Sequence, residues 1–285
     1  MLLTIIFLGL LILCVATVVV MLCGELRWKS RTRAMRNRLD AARLPIEPKV
    51  FDPRELADLP APVQRYFHAA FTDGLRIVAG VAIEQSGEFN QSETEPAWKP
   101  FAATQRVVTR RPGYFWDARI RMFPGVTMRV RDAYVAGEGL LQAAVFGLFS
   151  VANLRDSGEL AKGELMRYLA EMAWYPTAFL PSQGVRWDAV DDQSARVTLN
   201  DGVVTVSLLF RFNAAGLIES FRADARGRTA GAKAVSLPWQ GRFWNYATRN
   251  GMQVPLEGEV AWIHPDGAKP YWRGQITKLN YEFVK

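Results

Sequence analysis

Hydrophobic positions along the chain follow three successive patterns. From Met1 to Cys23 they run almost without interruption, and no side chain in that stretch is charged. A helix of that length measures roughly 34 Å, enough to cross a bilayer core of about 30 Å. From about Val50 the pattern breaks into short runs rich in β-branched and aromatic residues, punctuated by Gly and Pro. Leu75–Ile83, Phe101–Thr109, Tyr114–Met122 and Val126–Val135 read as strands. Val204, Val206, Leu208, Phe210 and Phe212 alternate with Thr205, Ser207 and Arg211, the period-two pattern of a half-buried antiparallel strand. Reversals at Asn200–Gly202 and Asn213–Gly216 turn Ala195–Leu199, Val203–Phe212 and Leu217–Asp224 into a meander. Pro265–Gly267 tips a hairpin between Glu259–His264 and Tyr271–Phe283.

The third pattern is helical. Asp52, Pro53 and Glu55 form a start signal, and Ala61 to Phe71 predicts a short helix closed by Gly74. Glu159–Tyr175 predicts a longer one, halted by Pro176. At 100° per residue, Leu165, Leu169, Met172 and Ala173 share a face, and Glu164, Arg167, Tyr168, Glu171 and Tyr175 fall on the other. Glu164, Arg167 and Glu171 are spaced for an ion ladder. Roughly ten strands in one domain must curl, because long flat sheets leave edges and pack poorly. The expected fold is therefore α+β: a strongly curved antiparallel sheet, an unclosed barrel, covered by helices and preceded by one transmembrane helix. The expected organisation is an anchor over 1–23, a basic juxtamembrane stalk over 24–49 and a single α+β domain over 50–285.

Charge sharpens the membrane reading. Arg27, Lys29, Arg31, Arg33, Arg36, Arg38 and Arg43 are opposed only by Glu25 and Asp40, so +5 of the net +7 lies in this short span. The rest of the chain is nearly balanced and makes no case for nucleic acid as a partner. A cleaved signal peptide, the alternative for the first segment, carries its basic residues before the apolar run, not after it. The positive-inside rule places the domain in the cytoplasm, with the stalk against anionic lipid head groups; the extracytoplasmic side is the alternative. Both cysteines, Cys14 and Cys23, lie in the anchor, which leaves the domain no internal disulfide.

The stretch from Arg167 to Pro181, RYLAEMAWYPTAFLP, followed by Val185 and Trp187, resembles the signature of a bacterial family of unknown function. Trp116, Arg131, Asp132, Tyr134, Gly137, Gly139, Asp191, Asp192, Pro238, Trp239, Gly251, Pro255, Gly258, Trp262 and Tyr271 to Gly274 extend the likeness over most of Leu56–Tyr281. The resemblance implies no activity. It implies a fold similar to the lipoprotein-carrier class, in which a curved sheet encloses a hollow for acyl chains. Those carriers work outside the cytoplasmic membrane, which opposes the orientation implied by charge.

Catalytic motifs do not emerge. His68 and His264 have no second ligand at metal spacing, and Asp188, Asp191 and Asp192 read as a polar turn sooner than a cation site. Neither a G-x-S-x-G elbow nor a phosphate-binding glycine loop occurs, and nothing calls for a cofactor. The ligand-binding candidates are arginines and aromatics. Arg119 and Arg121 alternate onto one face of a strand, and Arg129 and Arg131 onto one face of the next. That face is either a wet surface or the wall of a basic hollow. Arg167, Tyr168, Glu171, Trp174 and Tyr175 on the helix, together with Arg242, complete the set. The leading expectation is a non-enzymatic domain that binds a lipid or another amphipathic hydrophobic ligand. The alternatives are an enzyme acting on a membrane-derived substrate, with Arg242 or Arg273 clamping an anion, and a scaffold whose nine tryptophans fill any cavity.

Overall fold

The structure, a computed structural model, describes residues 1–156, 158–230 and 233–285. Among these residues, thirteen strands form one antiparallel sheet: β1 Val78–Asn90, β2 Trp98–Val108, β3 Gly113–Phe123, β4 Val126–Val135, β5 Glu138–Val145, β6 Phe149–Asp156, β7 Val185–Asp191, β8 Ser194–Asp201, β9 Val204–Phe212, β10 Ile218–Ala230, β11 Lys233–Arg249, β12 Met252–His264 and β13 Gly267–Phe283. Their order is β6-β5-β4-β3-β2-β1-β13-β12-β11-β10-β9-β8-β7. Two meanders are thus joined where β1 pairs with β13, and β6 and β7 are the free edges of an unclosed barrel. The hairpin β5–β6 and the long β11 go beyond the strands predicted from sequence. The buried residues of β5 come in pairs and β6 is almost wholly exposed, so neither shows the alternation that marks β9.

Among the described residues, three α-helices accompany the sheet: α1 Leu2–Ala41, α2 Ala61–Ala70 and α3 Glu159–Glu171. Asp52 caps the short 3₁₀ turn Pro53–Leu56 by accepting from the Arg54 amide. α2 stops at Ala70, earlier than the Gly74 signal, because Phe71 turns extended and bridges to Met252. α3 lies in the concave side and touches β3, β4, β5 and β6 on one wing and β9 and β10 on the other. One helix reaches both wings only if the sheet curves around it. Gly139 makes this approach possible: a Cβ there would lie 2.8 Å from the backbone of Leu160 and Ala161.

Leu165, Leu169 and Met172 are buried in the main core, as the helical pattern predicts. The opposite face differs from expectation. Glu164, Tyr168, Glu171 and Tyr175 are also buried, because the sheet curves around this face of the helix too, and the wet positions are Glu159 and Lys162 in its first turn. The ion ladder is accordingly split. Arg167 joins Glu171, but Glu164 turns to Tyr114 and Arg226.

α1 is one continuous helix whose first half is apolar, exposed and long enough to cross a membrane. Its second half does not lie free as a surface stalk. It docks on the outer face of β2 and β3, burying Trp28, Thr32 and Leu39. Leu39 packs with Val108, Phe115, Ala133, Val135 and Leu140 in a small core separate from the main one. Arg36, Arg38 and Arg43 are spent on Thr104, Glu138 and Glu282. Arg27, Lys29, Arg31 and Arg33 remain exposed.

Candidate functional site

Strand alternation sends neighbouring residues of β3 and β4 to opposite sides. Tyr114, Trp116, Ala118 and Ile120 face the main core. Phe115, Asp117 and Arg119 face α1. Asp117 accepts from Trp28 Nε1 at 3.0 Å and from Thr32 Oγ1 at 2.9 Å. Arg131 is buried on this outer side, with its guanidinium 3.7 Å from the Trp28 ring centre and hydrogen bonds to Thr32 Oγ1 and the Trp28 carbonyl. Burial pushes its pKa down to about 10, which still leaves it charged at neutral pH. Arg119 and Arg129 both bond Glu25, and Arg121 is exposed.

The four strand arginines therefore do not stand in the hollow. Their parity opposes that of the core residues Trp116 and Ile120, so Arg119, Arg129 and Arg131 form the dock for α1 and Arg121 stands in the open. Tyr168 and Tyr175 also lie away from the cavity. Tyr168 bonds the Thr109 carbonyl and Tyr175 bonds the Tyr168 carbonyl. Arg242 is on the outer surface, where it and Arg273 flank Glu259 across the strands, at 3.1 Å and 2.5 Å.

Three candidates do converge. Arg167, Glu171 and Trp174 line a cavity of about 120 Å³ between α3 and the sheet. Trp116, Val130, Leu141, Phe243 and Trp272 supply much of its apolar wall. The Arg167 guanidinium donates to Asp132 Oδ2 at 2.5 Å and to Glu171 Oε1 at 2.8 Å. It also sits about 5 Å from the Tyr114 and Trp116 ring centres, 5.0 Å and 4.9 Å respectively. Gln105 donates to the second Glu171 oxygen at 2.5 Å. Burial opposes the Arg167 charge, but Glu171, Tyr114, Asp132 and Glu164 outweigh it and raise its pKa. Arg167 is thus a permanent cation pinned between two carboxylates.

Three buried polar atoms in residues lining the cavity have no hydrogen-bond partner among the described residues: Asp132 Oδ1, Trp174 Nε1 and Arg226 Nε. One acceptor and two donors are thereby left unpaired, and each is costly to leave bare.

Glu164 lies deeper, outside the lining. Burial, with Asp132 nearby, raises its carboxyl to about 8. Arg226 stands 4.0 Å away, too far to donate a hydrogen bond, so desolvation outweighs that attraction and the carboxyl is held neutral. A neutral Glu164 leaves Asp132 and Glu171 balanced by Arg167 and Arg226.

Asp132, Gln105, Glu164 and Arg226 are the members that sequence reasoning missed. Asp132 was legible: it has the parity of Trp116's partner positions and the opposite parity to Arg129 and Arg131. Arg226 lies past the predicted end of its strand, which runs on through a register shift between Ala223 and Arg226.

Comparison with known proteins adds a family. No curated protein matches the chain by sequence. Among solved structures, it is similar to a LolA superfamily protein from Nitrosomonas europaea, with 9% identity over 79% of this chain and 93% of the other, and a TM-score of 0.39. It is also similar to a beta-barrel-like protein of the DUF1849 domain of unknown function from Brucella abortus, with 9% identity, 73% and 100% coverage, and a TM-score of 0.28. A family profile matches residues 57–281, nearly the whole sheet with α2 and α3. The chain belongs to the family of unknown function DUF6920.

Proposed function

We propose that this chain is a membrane-tethered binding domain that takes the apolar part of an amphipathic ligand into the hollow beside α3. The observation that carries the reading is the aromatic cavity with an ion-paired wall and three polar atoms left unpaired. Its volume, about 120 Å³, is below the ~300 Å³ at which pockets for drug-sized ligands begin. It is close to the ~150 Å³ of an engineered cavity that admits benzene. It therefore suits one ring or the end of an acyl chain, with a polar group that accepts from Trp174 and donates to Asp132.

A fragment from Gly24 to Lys285 keeps the docked half of α1 and is the form to test. Titration with an environment-sensitive fatty-acid or phospholipid probe is expected to saturate. Trp174→Phe keeps the ring but removes the free donor, and is expected to weaken binding about fivefold to tenfold, the worth of one hydrogen bond. A linear, unsaturable signal in both proteins would remove the binding reading.

The apolar half of α1 serves in this reading as the tether, and the exposed Arg27, Lys29, Arg31 and Arg33 hold the domain on the cytoplasmic side against anionic lipid. A reporter active only outside the cytoplasmic membrane, fused at Lys285, is expected to stay silent. Activity there would reverse the orientation without touching the ligand claim.

A further inference from the structure

The end of the sheet nearest the apolar half of α1 carries features that neither the ligand cavity nor the helix dock explains. Contacts along α1 run antiparallel to β3. Leu39 meets the start of β3 beside Gly113, Trp28 and Thr32 meet Asp117, and Glu25 meets Arg119. Continuing this run, Val18, Met21 and Leu22 share a groove with Gly125 and Thr127, at the turn between β3 and β4. The next hairpin tip lies at the same level: a Cβ on Gly24 would stand 2.5 Å from the Leu148 side chain and 2.7 Å from the Phe146 carbonyl. Two hairpin tips thus reach the last turns of the apolar segment instead of stopping short of it.

These tips carry large apolar side chains in the open. Phe123 is 61% exposed, Phe149 64% and Val151 61%, in a domain whose other aromatics are mostly buried. Basic groups accompany them. Lys99 lies over the Phe123 ring at 5.1 Å, and Arg121 is exposed. In the groove between the tips and α1, of about 320 Å³, Glu25 is surrounded by Arg119, Arg129 and Lys29, which leaves that corner net positive. Exposed phenylalanines with cations behind them, level with the end of a membrane-crossing helix, have the composition of a lipid-interface contact.

We propose that the β3–β4 and β5–β6 tips form a second membrane contact, with Phe123, Phe149 and Val151 in the head-group layer and the Arg119–Glu25–Arg129 groove filled by lipid. The occupant is the bilayer that α1 itself enters, because a helix rising about 1.5 Å per residue puts Leu22 about 3 Å and Val18 about 9 Å beyond Gly24. The domain then stands on the membrane at two points and does not swing on a single helix. The inference rests on the tether reading of α1 but not on the ligand.

The test uses the full chain with Cys14→Ser and Cys23→Ser, reconstituted in vesicles of phosphatidylcholine and phosphatidylglycerol. Single labelling sites are made by Phe123→Cys, Phe149→Cys and Val151→Cys. Val203→Cys is the control, at the exposed β8–β9 turn beside Asp201, which bonds Tyr134 at the far end of β4. Each carries an environment-sensitive fluorophore, and circular dichroism checks that each variant is folded. Three near sites keep the test informative if one variant fails to fold. The expected result is blue-shifted emission and quenching by head-group-labelled nitroxide lipid at the three near sites, with neither change at position 203. Equal quenching at all four positions, or at none, would overturn the proposal. Shielding of position 149 that depends on protein concentration in detergent would point instead to contact between β6 edges of two copies, and would also overturn it. Release of the protein by an alkaline wash would remove the tether and this inference together, whereas ligand binding by the soluble fragment would survive.

Discussion

The two faces of β3 and β4 put the same residue types to opposite uses. On the outer face, Arg129 and Arg131 meet Glu25, Thr32 and the Trp28 ring, and α1 is clamped by hydrogen bonds from both guanidiniums. On the inner face, one residue away, Asp132 meets Arg167 from α3, and the network is left incomplete, with Asp132 Oδ1 and Trp174 Nε1 unpaired. A satisfied buried network holds two elements together. An unsatisfied one beside a cavity is what the proposed binding role draws on. The difference separates structure from candidate function within two strands.

Breaking the inner network gives the largest effect. Arg167→Ala removes the one cation between Asp132 and Glu171, both largely buried. Stability is expected to fall by about 3–5 kcal/mol in denaturant unfolding, as for other buried pairs broken on one side. Probe binding should fall with it. A loss under about 1 kcal/mol would mean that water reaches the cluster.

The pH dependence of the same region is of intermediate size. Folded Glu164 keeps its proton up to about 8, whereas the unfolded carboxyl has its ordinary value of 4.5. A raised carboxyl favours folding at low pH and costs stability as pH rises between those two values. Glu164→Gln removes that cost. Its stability relative to the parent protein should therefore climb from about pH 4.5 to pH 8, by up to a few kcal/mol. A difference independent of pH would show that Glu164 is ionised in the fold.

The smallest effect belongs to the outer face. Arg119 is 57% exposed and shares Glu25 with Arg129 and Lys29. Arg119→Ala is expected to cost less than about 1 kcal/mol and to leave probe binding unchanged. A marked loss of binding would return Arg119 to the ligand path and undo the contrast between the faces.

Much of the fold was legible. Period-two alternation located β9 to within a residue, and turn residues at Asn200–Gly202 and Pro265–Gly267 marked real hairpins, although the first turns at Gly202 and Val203, with Asp201 already paired to Val204. The apolar segment and the buried stripe of α3 were equally plain. The candidate site was legible only in part. Arg167, Glu171 and Trp174 come from one contiguous stretch, and all three line the cavity. The strand arginines were read correctly as sharing a face, but the face could not be assigned. Parity divides a strand into two sets without saying which set turns inward when both are partly covered.

The chain by itself thus determined the local elements: which segments are strand or helix, which residues share a face, and that one segment can cross a membrane. These follow from backbone sterics and side-chain period, properties of near neighbours. Tertiary structure decided that α1 continues down the outer face of the sheet and consumes Arg129 and Arg131. It also decided that the sheet covers both the Leu165 face and the Glu164 face of α3 and that Asp132, Arg167, Glu171 and Arg226 meet at one cavity. Those outcomes depend on contacts between residues tens to hundreds of positions apart. The deciding energies, desolvation of a charge against its pairing, exist only once the chain has brought both partners out of water.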